Sequence, residues 1–137
     1  MYLTKYCCLI GATALLLALS AGCSKRVKIC PASGQVMVNG EPAEGAYVVF
    51  HAVNNPKRSA SSDAARTEKN GAFSAKIHGP GEYAVTVFWP MVTNTEGETI
   101  EGDDRLEGKF AKIAQPAARV TITDGQNSIP TIQLTYP

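Results

Sequence analysis

The sequence predicts an all-β sandwich. After residue 33 apolar residues recur with a period of two in six or seven short runs. Turn dipeptides such as Asn39-Gly40, Asn70-Gly71 and Asp124-Gly125 fall between those runs. No segment keeps a helical period for more than about eight residues, too short for a packed helix.

Each element follows from that alternation. Val36 and Val38 alternate with Gln35 and Met37, and Asn39-Gly40 ends the run in a tight turn. Ala46, Val48, Phe50 and Ala52 share one face of a second strand; Tyr47, Val49, His51 and Val53 share the other. Residues 54–66 read as loop by composition. Phe73, Ala75 and Ile77 mark a third strand, and Gly79-Pro80-Gly81 breaks the chain before the most strand-like stretch, Glu82 to Trp89. In that stretch Tyr83, Val85, Val87 and Trp89 face the core, and Pro90 stops it. Residues 91–117 show no clear period. Val120 and Ile122 give a further strand, and Ile132, Leu134 and Tyr136 the last.

The N-terminus has a different character. Met1 to Lys5 precede about 17 mostly apolar residues from Tyr6 to Gly22, and Leu19-Ser20-Ala21-Gly22 lead into Cys23. This is the layout of an export signal, and it resembles that of a bacterial lipoprotein. The resemblance implies that the Cys23 thiol is diacylated with chains such as palmitate and becomes the first residue of the mature protein. A retained spanning helix and a plain secretory signal are the alternatives. The run is shorter than the roughly 20 residues that cross a bilayer, although Lys25, Arg26 and Lys28 outnumber Lys5, as a retained helix would favour. Beside an anchored cysteine the same cluster would lie against anionic head groups. The expected organisation is a lipoprotein signal peptide at 1–22, a tether at 23–32 and one β-sandwich domain at 33–137, exported and held on the periplasmic or cell-surface side by lipid on Cys23.

Composition narrows the function further. Removing 22 of 137 residues leaves 115, enough for one domain. Lys5 leaves with the signal, so 13 Lys+Arg become 12, matching 12 Asp+Glu, and no basic face argues for nucleic acid. Cys7 and Cys8 lie in the signal and Cys23 takes lipid. Cys30 then remains, expected as an unpaired thiol in the tether with pairing to another molecule as the alternative, and a disulfide scaffold is excluded.

Within the domain, Gly34-x-Val36-x-Val38-Asn39-Gly40-x-Pro42-x-x-Gly45-Ala46-x-Val48-x-Phe50 is similar to the opening of carboxypeptidase regulatory-like domains. So are Thr67-x-x-x-Gly71-x-Phe73 and Pro80-Gly81-x-Tyr83-x-Val85. Leu106-x-Gly108-Lys109-Phe110-Ala111 and Val120-x-Ile122-x-Asp124-Gly125-x-Asn127 resemble stretches of planctomycete-type lipoproteins that carry one such domain. The resemblance covers about residues 33–136 and implies a seven-stranded transthyretin-like, immunoglobulin-like sandwich. Tyr83, two residues past Gly81, sits where sandwich folds bury a tyrosine ring and use its hydroxyl to cap a loop.

The residues offer little chemistry. His51 and His78 are the two histidines and fall on the face opposite the core; paired on one sheet they could hold a metal, but no cysteine or second carboxylate stands at ligand spacing. No serine lies in a Gly-x-Ser-x-Gly elbow. The ending Leu134-Thr135-Tyr136-Pro137 lacks the Tyr-Arg-Gly-Ser-type tail of transthyretin-like hydroxyisourate hydrolases. Glu96, Glu98, Glu101, Asp103, Asp104 and Glu107 crowd residues 94–107 and could offer oxygens to calcium, but without the Asp-x-Asp-x-Asp-Gly order the segment reads as a solvated loop. Being long, it is also the first place to look for binding. Tyr47, Val49, Val53 and Phe88 make the outer face more apolar than a solvated sheet requires, so either it is covered locally, with the 91–117 segment as the expected cover, or it is an exposed patch that awaits a partner. We therefore expect no catalytic residue, cofactor or metal. The expected role is structural, adhesive or binding at the cell envelope, with protein or glycan as partner. An accessory domain for a separate hydrolase and a calcium-dependent binder are the alternatives.

Overall fold

The computed structural model describes residues 26–54 and 62–137; the expected signal at 1–22, the Cys23 lipidation site and Lys25 lie outside the described residues. Eleven strands form in the described chain: β1 Ile29–Val38, β2 Glu41–Pro42, β3 Tyr47–Ala52, β4 Ser62–Arg66, β5 Ala72–His78, β6 Gly81–Phe88, β7 Pro90–Thr95, β8 Glu98–Asp104, β9 Ala118–Ile122, β10 Asn127–Ser128 and β11 Ile132–Leu134. There is no helix among them, and so none long and apolar enough to cross a membrane.

Two sheets face each other. In one, β1 pairs antiparallel with β5 and the short β2, and parallel with β10 and then β11. The other has the order β4-β3-β6-β9, antiparallel throughout. With β10 and β11 taken as one interrupted strand, β1, β3, β4, β5, β6, β9 and that strand are the seven of an all-β sandwich. Strands β7 and β8 form a separate hairpin.

The inner faces are the alternating residues expected from the period. Val36, Ala46, Val48, Phe50, Ile77, Val85 and Val87 are fully buried, with Phe73 and Tyr83 nearly so. Phe50 is central, its ring 6.1 Å from Phe73 and 6.4 Å from Tyr83. Burying each such side chain contributes about 1.5–3 kcal/mol before chain entropy is charged. Gly34 faces Phe73 across the β1–β5 pair, and a Cβ there would stand 2.7 Å from the Phe73 ring. The ring fills the space a side chain would need. The Tyr83 hydroxyl donates to the Gly79 carbonyl at 2.7 Å, the loop-capping role expected of it.

The register defines two ends. At the near end lie the start of β1 (Ile29 opposite His78), the β5–β6 turn and the Asp124-Gly125 turn. At the far end lie the Asn39-Gly40 turn, the Thr67–Gly71 connection, the end of β6 and Leu134 opposite Val38. Asn39 and Gly40 have φ of 52° and 83°, the left-handed pair a two-residue turn of this hand requires. Gly71 has φ of 75°, and a Cβ on it would lie 2.4 Å from the Val36 carbonyl oxygen, so no side chain fits there.

Three expectations are corrected. The tether at 23–32 is too long, because β1 begins at Ile29 and drives Cys30 and Ala32 into the core opposite Ile77 and Ala75. Cys30 is a free thiol, but a fully buried one and not part of a linker. Basic residues and Pro31 hid the strand; Pro31 sits on its outward side, where its ring is accommodated. Residues 54–66 are not loop throughout, since Ser62–Arg66 add β4 to the edge of β3. Alanines and polar residues carry little strand signal, and pairing with β3 supplies what propensity does not. Residues 91–104 are a hairpin with a register shift between Pro90 and Val92. Every residue from Met91 to Asp103 is exposed, so neither face is buried and no period of two could appear.

Candidate functional site

A cleft of ≈ 590 Å³ opens at the far end, between the β2 turn, the Thr67–Gly71 connection and the root of the hairpin. Its walls carry Glu41, Pro42, Glu44 and Gly45 on one side, Arg66 to Lys69 on another, and Trp89, Pro90, Val92 and Arg105 on the third.

Buried polar groups fix this frame. Thr67 is buried, and its Oγ accepts from the Ala46 amide at 2.8 Å while donating to the Ala43 carbonyl at 2.5 Å. Main-chain bonds from Gly45 to Thr67 and from Thr67 to Ala46 lock the same connection. Asp104 does the equivalent work at the hairpin root. Its Oδ1 accepts from the amides of Trp89 (2.9 Å) and Leu106 (3.1 Å), and its Oδ2 from Gly108 (3.0 Å). A carboxylate receiving three amide donors pins a turn through charge-assisted bonds.

Trp89, the single tryptophan of the chain, is held in place from several sides. Its indole N–H donates to the Glu44 carbonyl at 2.8 Å, and the Arg105 guanidinium lies 4.4 Å from its ring centre. The Arg105 amide closes onto the Trp89 carbonyl at 2.7 Å. A rigid, half-buried aromatic next to a guanidinium is therefore presented at the cleft wall.

A latch joins the hairpin to the body. Glu101 on β8 accepts from the Tyr47 hydroxyl at 2.9 Å and pairs with Arg66 at 2.6 Å. The hydrogen bond to Glu101 raises the Tyr47 hydroxyl above its ordinary value. Arg66 in turn lies 5.2 Å from the Tyr47 ring, and Tyr47 packs on Phe88 at 6.3 Å. The 91–117 segment thus covers the Tyr47 end of the outer face, while Val53 stays exposed at the other end.

Other residues singled out in the sequence fall apart from this site. His51 on β3 shares a 2.9 Å hydrogen bond with Thr86, and burial lowers its pKa. His78 is on β5, in the opposite sheet, and bonds Asp63 through Nδ1 at 2.5 Å. They do not share a sheet, and no group of three or more His, Cys, Asp or Glu among the described residues is placed to hold a metal. The acidic residues from Glu96 to Asp104 are strung along the hairpin and Glu107 lies in the turn after it, with Glu101 and Asp104 committed to protein partners.

The sequence reading missed Trp89 and Arg105 as a pair and missed Asp104 as a turn anchor. The spacing Asp104-x-Leu106-x-Gly108 was the available signal for the latter. Among the described residues Glu41, Glu44, Glu68 and Lys69 line the cleft without an ion-pair partner. With acceptors, donors, a flat aromatic and the apolar Pro42 and Val92 together, the cleft can receive a ligand bearing many hydroxyls and some apolar CH surface.

No family model matches the chain, and no curated protein matches it by sequence. Among solved structures it is similar to a candidate carbohydrate-binding protein of Pseudomonas aeruginosa, at 16% identity and TM-score 0.47 over 81% of this chain and 90% of that one. A DUF3823 family protein of Parabacteroides merdae matches at 14% identity and TM-score 0.46, covering 80% and 47%. A 9R-lipoxygenase of Cyanothece matches at 16% identity and TM-score 0.44, covering 80% of this chain and 17% of that one.

Proposed function

We propose that this chain is an exported bacterial lipoprotein, held in the membrane through acylated Cys23, whose carboxypeptidase regulatory-like sandwich is a non-catalytic module that binds envelope glycan at the far-end cleft. The observation that carries the binding half is the cleft wall itself. A sugar offers each ring hydroxyl as donor and acceptor and its CH face as apolar surface, and Glu41, Glu44, Glu68, Lys69, Arg105 and Trp89 supply the complementary set. The anchor half rests on the sequence from Leu19 to Cys23.

One pair of measurements tests both halves. Mass spectrometry of membrane-extracted protein should find acyl mass on a chain beginning at Cys23, lost together with membrane retention in Cys23→Ala; an intact Met1 in the membrane fraction defeats the anchor. A glycan array probed with the folded protein should give hits that Trp89→Ala abolishes. Hits that survive Trp89→Ala, or an array without hits, remove the cleft reading.

A further inference from the structure

We propose, resting on the reading of Cys23 as the lipid anchor, that the near end of the sandwich is a membrane-facing surface and that the cleft points away from the bilayer. Two independent observations lead there.

The first is the path of the chain. Strand β1 starts at Ile29, six residues after Cys23, so an extended tether spans at most about 20 Å. From Ile29 to Val38 the strand then rises about 30 Å to the far end, where the cleft opens beside the β2 turn. The anchored chain must therefore enter the sandwich from the end opposite the cleft. Arg26, Val27, Lys28 and Ile29 surround that point, with Val27 and Ile29 56% and 52% exposed. Lys28 is drawn back onto the body by Asp124 in the near-end turn, which ties the incoming chain to this end.

The second is charge. All 12 acidic residues lie in the described chain, and only Asp63, Glu82 and Asp124 are at the near end. The other nine (12 less three) lie at the cleft, on the hairpin and in the turns behind it. Five cations, Arg66, Lys69, Arg105, Lys109 and Lys112, accompany them, so among the described residues the cleft, the hairpin and the turns behind it carry nine negative against five positive charges. The near end carries Arg26, Lys28, Lys76 and Arg119 against its three carboxylates. An anionic leaflet repels the first end and mildly attracts the second within a Debye length. Tether and field thus favour one posture.

The test uses the acylated, full mature protein reconstituted into phosphatidylethanolamine–phosphatidylglycerol vesicles containing a dansyl head-group lipid. Trp89 is the native donor at the cleft. Ile29→Trp in a Trp89→Phe background moves the donor to the near end. Since the two sites differ by the length of β1, transfer from position 29 should exceed transfer from Trp89 by at least about threefold. A measurement without variants accompanies it: vesicle binding should slow amine labelling of Lys28 and Lys76 and leave Lys69 and Lys109 unchanged. Equal transfer from both positions, or labelling of Lys69 and Lys109 slowed as much as that of Lys28 and Lys76, overturns the posture while the acylated protein keeps its anchor. A chain that carries no acyl mass and leaves the vesicles overturns posture and anchor together.

Discussion

The side-chain amide of Asn39 pairs with the main chain of Tyr136, 97 residues away, as a neighbouring strand would. Its Nδ2 donates to the Tyr136 carbonyl at 2.6 Å and its Oδ1 accepts from the Tyr136 amide at 2.9 Å, while the Asn39 amide donates to the Leu134 carbonyl. The same residue holds the left-handed φ of the far-end turn. Two roles, turn former and strand substitute, coincide in one side chain.

Replacing Asn39 separates them. Asn39→Gly keeps the turn and loses the two side-chain bonds; Asn39→Ala loses both. We expect Asn39→Ala to lower unfolding free energy by about 1–3 kcal/mol in urea titrations, with Asn39→Gly between it and the wild type. Equal stability of all three proteins would show that the C-terminal segment is not held this way.

Asn127 is buried and completely engaged. Its Oδ1 accepts from the Thr123 amide at 2.8 Å, and its Nδ2 donates to the carbonyls of Thr123 and Gly125 at 2.9 Å. Asn127→Ala strands those groups at the near-end turn and should cost about 2–3 kcal/mol. Asn127→Asp keeps the acceptor alone and should recover only part of that loss. A melting curve for Asn127→Ala that overlays the wild type contradicts the assignment.

The latch predicts a local effect without a global one. Arg66 and Glu101 have side chains 48% and 33% exposed, so breaking the pair with Glu101→Gln should change global stability by less than about 1 kcal/mol. Amide exchange should nevertheless quicken across residues 91–103, whose other attachments are few and which are exposed throughout. Unchanged exchange there means that the hairpin root at Asp104 suffices alone.

His51 gives a pH dependence of definite sign. Burial lowers its pKa below the ordinary 6.5, so the unfolded chain binds a proton more readily than the folded one. Its contribution is fully present above pH 6.5 and is lost as pH falls from there through the folded value. Thermal melts of the wild type should therefore decline between neutral pH and pH 5 by more than those of His51→Gln. Parallel curves for the two proteins refute the assignment to His51.

Much of this molecule was readable from its residues. The alternation of Val48, Phe50, Phe73, Ile77, Val85 and Val87 revealed the core because each strand has one wet and one dry face. The hairpin escaped because both its faces are wet, and β4 because alanine and serine say little about strands. Cys30 was misplaced because a proline and three cations framed it. The cleft was illegible for a different reason: Glu44, Arg66, Trp89 and Arg105 come from separate connections, and only the two-sheet fold assembles them. Loops carry no periodicity, so sequence gives the contents of such a site without its geometry.

Strand β1 has a consequence for biogenesis. Among the described strands it is the first made, yet β10 and β11, which pair with successive stretches of it in parallel, are the last. The β1 sheet therefore waits for residues 127–134, and such long-range closure makes assembly slow. A chain emerging N-terminus first from the ribosome can complete its β1 sheet only after β10 and β11 have emerged. A product shortened by those strands would present β1 as an open, sticky edge.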